Sequence, residues 1–364
     1  MQAYTSAVNW WFQSLDRARR MRGASMDRLG YGPVESPYRT VLAMPGMRLR
    51  FYGGTSAGKR VALIIPAPIK RPYIWDLSPE CSVIRRALAA GMQVYLVEWT
   101  LPEAEQAGFG LEQYGDALLD RCVGAIRAVQ PDCRLFLLSH SLGGILASVY
   151  AALHPERVAG LVLIEAPLHF GAATGSFAPL LSLSPPARDV ARLFDNIPGS
   201  ALSLASVAAS PSTFQVERCA DLVASMESDE LLRRHMQVER WTLDEAPMPG
   251  RLFEEVVDQL YREDRFMRGT LTVRGRSIGP TDVVCPLLAV HDPRSLIIPP
   301  ASIAVFLAAV ANRNKCLLPY NGDKGIALAH VGALVGTSAH RQLWPAIFRW
   351  IEETAREEPG GFRH

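Results

Sequence analysis

No apolar stretch in the chain is long enough to span a bilayer. The longest, such as SIAVFLAAVA, falls well short of the roughly 20 residues that a crossing helix needs. The opening MQAYTSAVNWWFQSLDRARR lacks the basic-then-apolar order of a secretory signal. Cysteine is sparse and scattered. Cys81, Cys122, Cys133, Cys219, Cys285 and Cys316 contain no C-x-x-C pair, which suits reduced thiols in a cytoplasm better than a disulfide framework. No H-E-x-x-H and no clustered Cys/His spacing occurs, so no metal is expected. No G-x-G-x-x-G follows a strand, so neither a dinucleotide nor another cofactor is expected. With 38 basic against 36 acidic residues, a net charge of +2 offers nucleic acid no hold.

What is present is a large, core-forming chain. Its 364 residues are 49% hydrophobic and 20% charged, enough for one large α/β domain with an insertion, or for two domains. Apolar runs alternate with helical ones: RVALIIP, ECSVIRRALAAG, QVYLVEW, GLEQYGDALLDRCVGAIRAV, CRLFLLS, LGGILASVYAALHP and VAGLVLIEAP. Such a rhythm predicts a mostly parallel, doubly wound sheet covered on both faces. It breaks at about residue 168 and returns with CPLLAVH and KCLLP. The expected division is an N-terminal helical arm (1–40), a first core part (41–167), a helical lid (168–283) and a second core part (284–364). Within the arm, Ala7, Trp10, Trp11 and Leu15 share a helical face, followed by Arg17, Arg19, Arg20 and Arg22. That pattern fits a helix docked on the domain, or a surface for a partner subunit, a lipid boundary or a hydrophobic polymer. Gly53, Gly58 and Lys59 approximate a phosphate-binding loop, but Arg60 stands where a magnesium-binding hydroxyl belongs and a strand follows. A hairpin turn is the expectation there.

The chemistry concentrates in LFLLSHSLGGILA, residues 135–147. Ser141 sits between a strand and a helix, as in G-x-S-x-G, with Ser139 in place of the first glycine. In the α/β-hydrolase arrangement a serine nucleophile is followed in the chain by an acid and then a histidine. His330, in NGDKGIALAHVGALVG, is the candidate base. His340 falls inside the last helix, and His140 should point away from Ser141. The Leu142 N–H, at a helix start, is a candidate oxyanion donor. The second should come from Pro66-Ala67-Pro68-Ile69; Pro68 has no N–H, which leaves Ile69 or a neighbour. The acid is open. Laid on P-x-L-x-x-x-G-x-x-D-x-x-x-P from Pro286 to Pro299, the chain puts Ser295 in the acid's place and Asp292 three residues earlier. Asp292 is the first candidate, Glu165 at the end of LVLIE is the alternative, and a Ser–His dyad is the third.

These residues, together with PIKRPYIWDLSPECSVIRRALAAGMQVYLVEW, YAALHPERVAGLVLIEAPLHF, MPGRLFEEVVDQLYREDRFMRG and AHVGALVG, make the chain resemble the polyhydroxyalkanoate synthases. The likeness is to the shorter catalytic subunit of the two-subunit class and covers nearly the whole chain. The resemblance implies an α/β-hydrolase fold with a lid, hydroxyacyl-coenzyme A substrates, and a homodimer or a second synthase-like subunit. It also implies contact with a polymer granule through the N-terminal helix. Three positions depart from that family: Ser141 replaces its nucleophilic cysteine, Ser295 its aspartate, and His169 an aspartate common after the sixth strand. His330 matches its base. A serine forms an oxoester, so acylation from a thioester runs downhill, and its hydroxyl needs His330 to take the proton. The expectation is therefore a serine esterase, thioesterase or acyltransferase acting on acyl or hydroxyacyl esters. The alternatives are a serine polymerase and an inactive partner or granule protein.

Overall fold

The computed structural model describes residues 2–53, 59–170 and 175–356. Runs that are apolar at every position become the central strands, because both of their faces are covered. Eight strands form one sheet: β1 (Arg39–Met44), β2 (Met47–Tyr52), β3 (Arg60–Ile65), β4 (Gln93–Trp99), β5 (Arg134–His140), β6 (Gly160–Ile164), β7 (Leu287–His291) and β8 (Lys315–Pro319). Their spatial order is β1-β2-β4-β3-β5-β6-β7-β8. The first two strands are antiparallel to their neighbours, and every pair from β4 onward is parallel. This is the α/β-hydrolase fold, as expected.

One local expectation fails. β2 and β3 do not form a hairpin, because β4 lies between them and pairs with both. β3 is a buried strand with parallel neighbours on each side, so β2 must go outside β4, a lateral step of about two strand spacings, or ~10 Å. The tight turn is instead between β1 and β2, at Pro45-Gly46, where Gly46 has φ 95°. Gly58 of the rejected phosphate-loop match lies outside the described residues.

Alternate strand residues feed two cores. Leu63, Leu137 and Leu163 face the helices Leu118–Val129 and Leu142–Leu153. Ile64, Leu138 and Val162 share the other core with Val83 and Ile84, which follow the Ser82 helix cap, and with the last helix, Trp344–Arg356. Between β6 and β7 the chain is largely helical. The stretch 217–242 holds two helices, Arg218–Ser225 and Asp229–Thr242, because the Ser228 side chain accepts the Leu231 N–H and starts a new one. Two short antiparallel pairs, Asn196–Ile197 with Met248–Pro249 and Leu271–Val273 with Arg276–Ile278, have no signal in the sequence.

The arm helix runs over Gln2–Arg28. It is docked: Phe12 meets Phe194 edge-on at 5.7 Å, and Arg19 and Asp27 pair with Glu245 and Arg240. Trp10 and Trp11 stay exposed. Among the described residues no helix is long and apolar enough to cross a membrane.

Candidate active site

Parallel strands release their loops on one side of the sheet, and ligands bind at those carboxyl ends. Ser141 follows β5, Glu165 follows β6, Asp292 follows β7, the Ile69 loop follows β3, and the His330 loop follows β8. The sheet thus gathers the candidates before any side chain is considered.

Ser141 has φ 55° and ψ −135°, a conformation that an L-residue adopts at a cost of about 1–3 kcal/mol. Its N–H still bonds the Ile164 carbonyl at 3.0 Å, so the sheet ladder imposes the turn. Ser139 is fully buried, with its hydroxyl 3.2 Å from the Val162 carbonyl, which explains how a serine fits where glycine was expected. The two glycines that follow are there for closeness. A Cβ on Gly143 would overlap the Ile65 carbonyl oxygen, and one on Gly144 would overlap the Ala166 methyl. Gly143→Ala meets rigid backbone, and it is expected to destabilise the fold by about 3 kcal/mol, read as a lower urea midpoint at unchanged slope.

His330 lies on a single 3-10 turn, Ala329–Val331. The loop before it includes Gly322, Gly325 and Ala327, all at positive φ. Tertiary contacts hold it. The Tyr320 hydroxyl donates to Asp323 at 2.5 Å, Asp323 accepts the Ser338 N–H at 3.0 Å, and the Trp344 indole donates to the Ala333 carbonyl at 2.8 Å. His140 Nε2 lies 2.8 Å from the His330 carbonyl oxygen, with the two rings 4.6 Å apart. His340 is buried elsewhere, against Arg86 at 2.6 Å.

The acid expected first does not reach the base. Asp292 turns its carboxylate onto Arg294, at 2.8 Å from the main-chain N–H and 3.0 Å from Nη2. Glu165 instead faces His330, with Oε2 3.8 Å from Nδ1, and both of these atoms are buried without a hydrogen-bond partner. Its other oxygen accepts the Asp292 N–H. At 3.8 Å the two groups touch without bonding, and burial keeps each neutral. Desolvation pushes the Glu165 carboxyl up to about 8, against the opposing pull of the Asp292 N–H and the Ser295 hydroxyl. It pushes the His330 imidazole down to about 4. Ser295 itself accepts the Ile298 N–H at 3.1 Å.

Leu142 opens the helix Leu142–Leu153, so its N–H has no acceptor within that helix. The Ile69 loop is tied down by the end of the helix Asp229–Thr242 and the segment after it. The Ile69 carbonyl accepts the Ala246 N–H at 2.9 Å, while Lys70 reaches Glu245 at 2.8 Å and the Thr242 carbonyl at 3.0 Å. Arg19 of the arm shares the same Glu245 at 2.9 Å. An apolar cleft of about 20 Å³ lies beyond β6, lined by Pro167, Phe170, Phe177, Tyr261 and Ile297. Beside it the His169 imidazole and Asp264 meet at 2.6 Å. An elbow serine, a neutral buried imidazole and a carboxyl behind it are the parts needed to deprotonate a hydroxyl for attack on an acyl carbon.

A family model described as serine aminopeptidase, S33, matches residues 114–244. The poly(3-hydroxyalkanoate) polymerase subunit of Allochromatium vinosum is 25% identical over 352 residues, 94% of this chain and 96% of that one. That of Haloarcula marismortui is 26% identical, covering 98% of this chain and 78% of the relative. Among solved structures, Paleococcus ferrophilus monoacylglycerol lipase aligns with a TM-score of 0.55 at 16% identity, over 85% of this chain and 99% of that one. A Saccharomyces cerevisiae monoglyceride lipase aligns at 0.54 and 12% identity, over 89% and 96%. At such identities these two likenesses speak for the fold alone.

Proposed function

The chain is a homologue of the poly(3-hydroxyalkanoate) polymerase subunits on an α/β-hydrolase fold, an acyl-transferring enzyme, and from that premise we propose that it works through an acyl-serine on Ser141. The observation that carries this reading is the strained Ser141 turn, one strand away from a carboxyl that faces the Nδ1 of His330. Ser141 Oγ attacks the carbonyl of a hydroxyacyl thioester or ester, and His330 takes the hydroxyl proton at Nε2. The developing oxyanion lies against the Leu142 N–H and an N–H of the Ile69 loop. The carbon–sulfur or carbon–oxygen bond breaks, and the leaving thiol or alcohol takes the proton back from His330. Water or an alcohol, deprotonated by the same imidazole, then releases the acyl group.

Glu165 orients His330 and offsets its charge, in place of the acid that Ser295 displaces. Residues 168–283 serve as the lid over this site. Hydrolysis is the main outcome, because an oxoester does not return its acyl group to a thiol as readily as a thioester does. Polymerisation is the second reading. It is favoured by the polymerase relatives, which match over most of this chain.

The test is a fluorophosphonate probe with peptide mapping, followed by 3-hydroxyacyl-coenzyme A turnover. Labelling at Ser141 with thiol release and free hydroxy acid supports hydrolysis. Thiol release with polymer supports the second reading. A chain that neither takes the label nor releases thiol overturns both.

A further inference from the structure

We infer that His140 is a positioning residue for the base, holding the main chain of His330 through a hydrogen bond from its imidazole. The inference rests on the acyl-serine reading and adds to it a residue outside the Ser–His–acid set.

The observations are local and mutually consistent. His140 is the last residue of β5, directly before Ser141. Side chains alternate along a strand, so His140 shares a face with Leu138. Leu138 belongs to the core that also contains Leu328, Val331 and Leu334, the apolar residues around the base. The His330 loop therefore packs on the strand face from which His140 projects. Its Nε2 lies 2.8 Å from the His330 carbonyl oxygen. A carbonyl only accepts, so Nε2 carries the hydrogen and the ring is the Nε2–H tautomer. Desolvation holds the imidazole neutral, well below its ordinary pKa. The ring also rests against the His330 ring, 4.6 Å between centroids.

The need for such a contact comes from the loop. Residues 322, 325 and 327 all have positive φ, so local preference does not place His330. Asp323 anchors the loop before the base, and Trp344 anchors it after, through Ala333. His140 grips residue 330 itself, while the Glu165 carboxyl still stands 3.8 Å from the ring. Because His140 and Ser141 are adjacent, the same strand end sets both the nucleophile and the height of the base above it. A shift of about 1 Å between reacting groups can cost on the order of 10²-fold in rate.

Two substitutions separate the hydrogen bond from the packing. His140→Phe keeps a ring against His330 and removes the donor. His140→Gln supplies an N–H of similar reach without the ring. With a p-nitrophenyl ester and a fluorophosphonate as probes, His140→Phe is expected to lose about 30- to 100-fold in kcat and in the labelling rate of Ser141, with KM nearly unchanged. His140→Gln is expected to recover most of that loss. A His140→Phe protein that labels and turns over like the wild type overturns the inference. So does an equal loss in both variants, because a restored N–H that recovers nothing would show that the hydrogen bond does not position the base. Wild-type protein that takes no label overturns the acyl-serine reading itself, a separate failure visible before any variant is made.

Discussion

Ser141→Ala is expected to lower acyl turnover by about 10⁶-fold, the scale seen when a serine nucleophile is removed from a triad. Alanine keeps the backbone at φ 55° strained, since it too has a Cβ, so melting temperature should move little. His330→Ala should cost nearly as much alone, because an unassisted hydroxyl is almost fully protonated near neutrality and a poor nucleophile. The two losses are not expected to add. The double variant should be no worse than either single one, since each already removes the whole nucleophilic step. Residual turnover above the uncatalysed rate would then belong to the oxyanion donors and to binding. The measurement is kcat on a chromogenic ester for both single variants and the double variant. Additive losses would show that Ser141 and His330 do not act as a unit.

The second large effect is expected at Glu165. Glu165→Gln should reduce kcat by about 10³- to 10⁴-fold, the range for loss of a triad acid. Asp292→Asn should stay within about tenfold, because its carboxylate is engaged with Arg294 and only its main-chain N–H serves Glu165. The pH dependence gives an independent readout. The Glu165 carboxyl sits at about 8 and the His330 imidazole at about 4. Near pH 7 the free protein therefore holds a protonated Glu165 beside a neutral His330. Activity should rise as pH climbs through about 8 and the carboxylate forms, and the Gln variant should lose that rise.

Stability should move the opposite way. Folding raises this carboxyl from 4.5 to about 8, so between those values the folded chain holds a proton that the unfolded chain has released. Wild-type stability then falls with rising pH across that window, relative to Glu165→Gln, and the difference levels off above it. His330, lowered by folding from 6.5 to about 4, contributes stability that is lost as pH falls through 6.5 towards 4. It does so in both proteins, so it cancels from the comparison. A Gln variant that is less active yet more stable at pH 9 would identify Glu165 as a buried acid kept at a cost to folding.

Much of this protein is local information and could be read from the chain. Uniformly apolar runs specify central strands, and small residues at Gly143 and Gly144 announce a helix starting hard against the sheet. The order of Ser141 and His330 marks the two loops that meet. What the chain alone left open was decided by what the folded sheet brings together. Asp292 follows β7, the sheet neighbour of the strand that leads to the base, yet its carboxylate turns to Arg294, and Glu165 is the carboxyl that faces His330. The placement of β4 between β2 and β3 is of the same kind: nothing in residues 47–65 announces a strand that comes 28 positions after β3 ends. The partner of His140 is 190 residues away, beyond the reach of any local pattern. Periodicity and turn chemistry act over a few residues. The direction of a charged or polar side chain at a loop is set by whatever the sheet brings beside it, and that is settled only when the distant strands have paired.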